Sequence, residues 1–177
     1  LKYNERSEWW TKENVVLKAN IKNGKQIKKI KWYVGAPEEE LKEYEDKYEI
    51  YISPTSVLQE YYTAEVQVED ENSGKLQTYK TLVMVFIDKK NPRFYEDNEE
   101  GLNDEWSKEI EYEIKAYDDE SGIYGYKIYR LGDDNSNENI ICPTKFSEYK
   151  ELKINNINEN GNYYVCLIDN VGNVYGD

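Results

Sequence analysis

The chain lacks histidine altogether and holds only two cysteines and one methionine among its 177 residues. Without histidine, Ser-His-Asp catalysis, Cys-His catalysis and histidine-bound zinc are excluded. Two cysteines, Cys142 and Cys166, are too few for a four-thiolate zinc site. No Gly-rich phosphate loop of the Walker or Rossmann type is present either. Paired carboxylates remain in principle, but acids are too abundant here to single out a pair. We therefore predict a chain that is not an enzyme and needs no cofactor.

Long hydrophobic runs are also missing. The longest covers residues 82–87, whereas roughly 18 apolar residues are needed to cross a bilayer. The formal net charge of −13 repels the phosphates of nucleic acids and anionic lipids. We expect no membrane insertion and no nucleic-acid partner. Leu1 opens directly into polar sequence without an initiator methionine or signal peptide, so we expect a mature product or an excised fragment.

Tyrosine is abundant, with 18 residues, and aromatic residues make up 14% of the chain. Tyrosine and β-branched residues fit the pleated, half-buried surface of a sheet better than a helix. The composition therefore favours β-structure before any pattern is considered.

An internal repeat gives the strongest pattern. Trp10-Thr11-Lys12-Glu13 matches Trp106-Ser107-Lys108-Glu109 at an offset of 96 residues (106 minus 10). Alternating apolar residues that end in alanine follow each match: Val15, Leu17 and Ala19 in one copy, and Ile110, Tyr112, Ile114 and Ala116 in the other. Period-two alternation is typical of a strand with one face on a core. The pattern predicts a duplicated β-domain.

A second match lies later in each copy. Ala64–Asp70 resembles Tyr163–Asp169 at an offset of 99 residues (169 minus 70). Each of these strands stops at an aspartate and enters a glycine-containing turn, where Asp bonds the local backbone and Gly supplies a positive φ. The junction Ile87–Pro92 then ends an apolar run with a proline that restricts the preceding residue. We predict two domains, 1–88 and 89–177, joined by a short, stiff linker.

Short alternating runs separated by turn signals predict an all-β fold of two tandem immunoglobulin-like β-sandwich domains. Asn23-Gly24 marks one such turn. The insert 37–44 fits either a short helix or an acidic loop. The second copy ends soon after its late turn, so we expect it to lack most of its last strand. The predicted strands are Leu1–Asn4, Val15–Ala19, Ile27–Val34, Tyr48–Ile52, Tyr61–Glu69 and Thr78–Ile87, then Arg93–Tyr95, Ile110–Tyr117, Ile123–Tyr129, Ile140–Cys142, Glu151–Ile154 and Tyr163–Ile168.

The two cysteines lie in the second copy, and their number permits a disulfide. Alternation along 163–169 places Tyr163, Val165 and Leu167 inward, so Cys166 is expected to face outward. This orientation argues against a bridge to Cys142, and the pairing stays open at the level of sequence.

Several motifs resemble bacterial immunoglobulin-like repeats of surface proteins: Trp106-Ser107-Lys108, the run 116–123 with Asp118-Asp119-Glu120-Ser121-Gly122-Ile123, Gly161-Asn162-Tyr163, and Asp169-Asn170-Val171-Gly172-Asn173. The Ile87–Pro92 junction resembles the linker between such copies. Domain two carries all of these motifs, whereas domain one departs at the middle turn. The resemblance implies a stalk, spacer, adhesion module or accessory domain of an extracellular or cell-surface protein, but fold alone does not settle function.

Calcium is the most specific chemistry that the acidic residues offer, because hard cations prefer several carboxylate and carbonyl oxygens. The candidate ligands are Asp88 and Asn91 at the junction and Asp118, Asp119 and Glu120 in the middle turn of domain two. The alternative is that Asp118 and Asp169 cap their turns with hydrogen bonds.

The main prediction is a non-catalytic structural or interaction module of a bacterial surface or secreted protein, with further repeats in the parent protein and a protein or glycan as ligand. The alternative is a carbohydrate-binding or accessory module of a secreted enzyme. Outward-facing aromatic residues would serve that alternative by stacking on sugar rings, and the candidates are Trp9, Tyr61, Tyr124, Tyr129 and Tyr164.

Overall fold

The protein is all-β. The structure is a computed structural model that describes residues 9–21, 27–35, 42–70, 73–95, 110–112, 115–131, 140–150, 155–157, 161 and 163–176. Most of these residues lie in strands and almost none in helix. Within the described part of the chain, no helix combines the length and apolar character that crossing a membrane requires.

The chain forms two compact units. The first unit is Glu13–Asp88, and the second is Lys89–Asp177 together with the N-terminal segment Leu1–Lys12. Sequence analysis placed residues 1–12 with the first domain, so the grouping differs at the N-terminus. One contact that ties this segment to the second unit is the hydrogen bond from Lys12 Nζ to the carbonyl oxygen of Gly172, at 2.9 Å.

The first unit is a two-layer sandwich. Within it, the larger sheet has the antiparallel order β7-β6-β3-β4, and β2 pairs with β5 in the smaller sheet. Its strands are β2 (Val15–Lys18), β3 (Ile27–Val34), β4 (Lys42–Glu45), β5 (Glu49–Ile52), β6 (Leu58–Glu69) and β7 (Leu76–Ile87). The two-residue strand β1 (Trp10–Thr11) belongs to the N-terminal segment.

Period-two alternation builds the core of the first unit. On β6 the residues Tyr62, Ala64, Val66 and Val68 are buried, while the residues between them are partly exposed. Ile50 and Ile52 of β5 face them from the other sheet, and Val15 and Leu17 of β2 pack against the same cluster. Such alternation is expected of sheets with one face on the core.

Trp32 of β3 lies at the centre of this core with only 3% of its surface exposed. Its indole nitrogen donates a hydrogen bond of 2.8 Å to the carbonyl oxygen of Lys47. A buried Trp usually needs such a partner, because an unpaired buried N–H is costly. Trp32 therefore contributes both apolar area and a satisfied polar group.

The described residues of the second unit form three small sheets: β11-β13-β14, β9-β12 and β8-β10, all antiparallel. Its last strand, which the sequence predicted to be mostly missing, is present but short. It has three residues, whereas β7 of the first unit has twelve. A 3₁₀ turn covers Phe146–Glu148. The strands are β8 (Arg93–Phe94), β9 (Ile110–Tyr112), β10 (Ala116–Tyr117), β11 (Ile123–Arg130), β12 (Asn155–Ile157), β13 (Tyr163–Asp169) and β14 (Val174–Gly176).

Strand β13 is covered on both faces. Val165 and Leu167 pack with Tyr126 on one side, and Cys166 and Ile168 pack with Tyr149 on the other. The predicted alternation is therefore present, but the expectation that Cys166 faces outward is wrong. The segment 140–150 lies over that face, and Cys166 is fully buried in a disulfide with Cys142.

The segment 140–150 is held tightly against the sheet. Tyr126 and Lys150 exchange backbone hydrogen bonds of 2.9 Å in both directions. A Cβ atom on Gly125 would lie 2.2 Å from the carbonyl oxygen of Lys150, so only glycine permits this approach. The hydroxyl of Tyr149 donates to the carbonyl oxygen of Pro143 at 2.5 Å, and burial raises the pKa of Tyr149 to about 12.

Two predicted elements differ from the structure, and others lie outside the described residues. Ile140–Cys142 is not a strand, because Cys142 is held by the disulfide and Ile141 points to solvent with 86% exposure. Of the insert 37–44, the described residues Lys42–Tyr44 belong to strand β4 rather than to a helix or loop. The predicted strands Leu1–Asn4 and Glu151–Ile154 and the Asn23-Gly24 turn lie outside the described residues.

Replacing Trp32 with phenylalanine removes the hydrogen bond to Lys47 and leaves a small cavity. We expect Trp32→Phe to lower the free energy of unfolding by about 2 kcal/mol in urea denaturation. Trp9→Phe, at a position with 58% exposure, should change it by less than about 0.5 kcal/mol. Equal effects of the two substitutions would contradict the assignment of Trp32 to the core.

Reduction of the disulfide should loosen the second unit alone, because Glu13–Asp88 contains no cysteine. Because the bridge joins residues 24 positions apart, the chain-entropy model predicts that reduction lowers the free energy of unfolding by about 3 kcal/mol. We expect dithiothreitol to speed hydrogen exchange in peptides from β11 and β13 and to leave β3 and β6 unchanged, as measured by mass spectrometry. Faster exchange throughout the chain would show that the bridge does not act locally.

Candidate functional site

An apolar cleft opens on one side of the first unit. Its volume is about 480 Å³, within the range of roughly 300–1,000 Å³ typical of ligand sites. The described residues that line it come from β2 and its continuation (Leu17, Lys18, Ala19, Asn20 and Ile21), from the core (Trp32, Ala64 and Val66) and from β7 (Tyr79, Lys80, Thr81 and Val83). Core residues form its floor, so the cleft is a place where the sandwich is left open.

The cleft exists because the two layers differ in width. The larger sheet has four strands in this unit, whereas β2 and β5 make a sheet of two. On β7 the inward residues Val85 and Ile87 are 5% and 0% exposed, but Tyr79 and Val83 on the same face are 50% and 37% exposed. On the inward face of β7, the side chains near its C-terminal end are thus buried, whereas those earlier in the strand are exposed.

One edge of β2, which pairs with none of the described strands, borders the cleft. The amide of Ala19 donates to the carbonyl oxygen of Tyr48 at 3.2 Å, which continues the β2–β5 pairing. Because successive residues of an antiparallel strand direct their backbone groups to opposite sides, the N–H and C=O of Lys18 point away from β5. A strand laid beside β2 would meet these groups.

Charge at the cleft differs from that of the whole chain. Two lysines and no carboxylate occur among its described lining residues, although the chain carries −13 overall. Both lysines lie at the rim, where Lys18 pairs with Glu49 at 2.5 Å and Lys80 with Glu65 at 2.7 Å. The ion pair with Glu65 raises the pKa of Lys80. These two ion pairs therefore balance the charge of both lysines.

The acidic turns of the second unit form a different kind of site. Asp118 Oδ1 accepts hydrogen bonds from the backbone N–H groups of Glu120 and Gly122, at 3.2 and 2.8 Å, and from the Ser121 hydroxyl. Gly122 has φ of 81°, a conformation that favours glycine. The carboxylate thus closes the turn that leads into β11.

Asp169 closes the turn after β13 in the same way. Its Oδ1 accepts from the N–H groups of Val171, Gly172 and Asn173 at 2.9, 2.6 and 2.8 Å, and its Oδ2 accepts from the Asn173 side chain at 2.7 Å. Asn170 joins the two turns by donating to the carbonyl oxygens of Ser121 and Gly122, both at 2.9 Å. Turn capping, one of the two interpretations from sequence, is therefore present at both aspartates.

The five calcium candidates do not all converge. Asp118 is buried and lies with a carboxylate oxygen within 4.8 Å of one from Asp169, which was not among the candidates. Asp119 and Asn91 are exposed, and Glu120 forms an ion pair with Lys90 at 2.8 Å. Asp88 is completely buried at the end of the first unit. Calcium binding stays a prediction.

The aromatic residues considered for sugar stacking differ in how much of each side chain is exposed. Trp9 and Tyr124 are exposed, whereas Tyr61, Tyr129 and Tyr164 are half-buried. The ring of Tyr124 meets the edge of Phe146 at 4.8 Å, and Tyr129 is the cross-strand neighbour of Tyr164. This set therefore does not form a row of open ring faces.

Comparison with protein-family models, with curated proteins and with solved structures found no match.

Removal of the Asp169 carboxylate should be costly because four hydrogen-bond donors lose their acceptor. We expect Asp169→Ala to lower the free energy of unfolding of the second unit by about 3 kcal/mol, and Asp70→Ala, in the more exposed turn of the first unit, to cost about 1 kcal/mol. Hydrogen exchange of each unit provides the measurement.

Measuring the effect of Asp169→Ala with and without calcium distinguishes turn capping from metal binding. If capping is the sole role of Asp169, the cost of Asp169→Ala is the same in millimolar calcium and in EDTA. A cost that grows in calcium would instead indicate that the carboxylate holds the ion, because a bound ligand stabilises the folded state.

Proposed function

We propose that the chain is a non-catalytic structural and interaction module, built of two tandem immunoglobulin-like β-sandwich domains, from a bacterial surface or secreted protein. The observation that carries the proposal is the presence of two compact β units, each with its own apolar cluster. A chain of such units acts as a stalk or spacer and presents binding surfaces at a distance from its anchor.

Corresponding strands support the proposed duplication. The order β3-β6-β7 in the first unit parallels β11-β13-β14 in the second, and the pair β2-β5 parallels β9-β12. Strand β3 and its proposed counterpart β11 each begin with a register shift. It lies between Ile27 and Lys29 in β3 and between Ile123 and Gly125 in β11. These positions are 96 residues apart (123 minus 27), the same offset as the tryptophan motifs.

The late turns support it as well. Asp70 Oδ1 accepts from the N–H and hydroxyl of Ser73 at 2.9 and 3.0 Å, and Gly74 follows with φ of 63°. Asp169 has the equivalent role in the second unit. Two turns with the same chemistry, 99 residues apart and so close to the offset of 96 of the tryptophan motifs, are expected from duplication of one ancestral unit.

Location outside the cytoplasm is supported by the disulfide between Cys142 and Cys166, because such bridges persist mainly in oxidising compartments. The carbohydrate-binding alternative has weaker support, since four of the five aromatic residues proposed for stacking are half-buried or in contact with another ring. A protein ligand is therefore the better supported partner.

Labelling of intact cells tests the proposal. A membrane-impermeant amine reagent, applied to cells that produce the protein, should modify exposed lysines such as Lys28 and Lys80 without lysis. A cytoplasmic marker in the same sample should stay unlabelled. Modification that requires lysis would place the protein inside the cell and overturn the assignment.

A further inference from the structure

Strands β8 and β10 place two tyrosines on the same face of the second unit. Their register pairs Phe94 with Ala116, and the amide of Tyr95 donates to the carbonyl oxygen of Lys115 at 3.1 Å. The side chains of Phe94 and Ala116 pack against the core cluster. Because side chains alternate along a strand, Tyr95 and Tyr117 lie on the opposite, outward face of this strand pair.

The two phenol rings on this outward face are in contact. The ring centroids of Tyr95 and Tyr117 are 4.8 Å apart, and the ring planes are inclined by 42°. Diagonal neighbours across antiparallel strands lie within reach of each other when their side chains are aromatic. Tyr95 is 50% exposed and Tyr117 is half-buried, so a reagent in solution can reach the pair.

The ring separation is close to that of two phenols joined by a carbon–carbon bond. In such a linked pair, the centroids are separated by two ring radii and one single bond of about 1.5 Å. The observed 4.8 Å exceeds that sum by less than one bond length. Rotation about the Cβ–Cγ bond of tyrosine is soft, so a small change in either side chain brings two ring carbons together.

We propose that Tyr95 and Tyr117 form a site of oxidative cross-linking, at which a one-electron oxidant joins the two rings through a Cε–Cε bond. The oxidant is a haem peroxidase supplied with hydrogen peroxide. The inference goes beyond the proposed function, because it assigns a covalent modification to the second unit and does not depend on the duplication.

The reaction balances as a two-electron oxidation. Each phenol loses one electron and its hydroxyl proton, and the two phenoxyl radicals couple at ring carbons next to the oxygen-bearing carbon. The hydrogen on each coupled carbon then leaves as a proton, and each phenol oxygen takes up a proton, which restores both aromatic rings. The net loss of two electrons and two protons reduces one hydrogen peroxide to two waters.

Proximity favours this pair over the other tyrosines of the chain. Two radicals held in contact couple in a unimolecular step, which corresponds to a very high effective concentration. Tyr124 is also exposed, at 42%, but its ring lies against Phe146. Phenylalanine has no hydroxyl hydrogen for a one-electron oxidant to remove, so Tyr124 has no such coupling partner in Phe146.

The cross-link would fasten a short strand pair permanently. Strands β8 and β10 share only two residue pairs in register. A bond between Tyr95 and Tyr117 closes a loop of 22 positions (117 minus 95), and like a disulfide it restricts the unfolded chain. We therefore expect the oxidised second unit to melt at a higher temperature than the untreated one.

Peroxidase treatment of the full chain tests the proposal. At low micromolar protein, where coupling between chains is slow, we expect a monomer that is lighter by two hydrogen atoms and shows dityrosine fluorescence. Trypsin cuts after Arg93, Lys108, Lys115 and Lys127. Mass spectrometry should therefore find the peptide 94–108, which holds Tyr95, joined to the peptide 116–127.

Two tyrosines of that second peptide offer matched variants. Tyr117→Phe should lower the yield of the joined peptides at least about tenfold, whereas Tyr124→Phe should leave it unchanged. Each substitution removes one hydroxyl and keeps the ring, so we expect both variants to keep the melting temperature of the unsubstituted chain. In concentrated urea the contact is lost, and the joined peptides should no longer predominate among the dityrosine products.

Three outcomes would overturn the proposal: dityrosine that joins Tyr95 mainly to other tyrosines, covalent dimers in place of the lighter monomer, or no loss of hydrogen from the folded chain. An equal yield of joined peptides from Tyr117→Phe would do the same. Labelling of intact cells modifies lysines and reports location, so failure of the cross-link is distinguishable from failure of the surface assignment.

Discussion

Each unit depends on one strand that is hydrogen-bonded along both of its edges. Strand β6 pairs with β3 on one side and with β7 along all twelve residues on the other. Strand β13 has the same place between β11 and β14. Because such a strand pairs with a neighbour on each side, its register determines which side chains of its neighbours face the core. The aspartate that ends each strand then directs the chain into the next one.

The two units complete this common framework in different ways. The first extends its larger sheet with β4 and leaves an apolar opening beside β7. In the second, Phe94 of β8 packs on the cluster of Tyr126 and Leu167, and the segment 140–150 covers the opposite face of β13.

Local patterns were enough to predict most strands. Alternation placed β3 at Ile27–Val34, and the aspartate-glycine signals located the turns after β6 and β13. Cys166 was misjudged for a physical reason. Alternation tells which face a residue lies on, but the covering of the second face by residues 140–150 arises from long-range packing. Strand β4 was missed because its acidic sequence has no apolar period, and its pairing with β3 determines its conformation.

The cleft could not be predicted from sequence, since it arises where three separate segments fail to close the core. Tyr79 and Val83 carry the same alternation as Val85 and Ile87, and only the narrower opposing sheet leaves the first two open. Asp169 was recognised as a turn residue, but its proximity to Asp118 depends on how β11 and β13 pair. Sites assembled across strands need the register as well as the residues.

The disulfide has a consequence for a protein that is pulled from its ends. A covalent link between Cys142 and Cys166 lets tension pass directly across 24 positions of sequence. At roughly 3.3–3.6 Å per extended residue, about 80 Å of contour length cannot be drawn out while the bridge is intact. When the protein is pulled, the second unit therefore extends by less than its number of residues implies. An array of such units would extend correspondingly less.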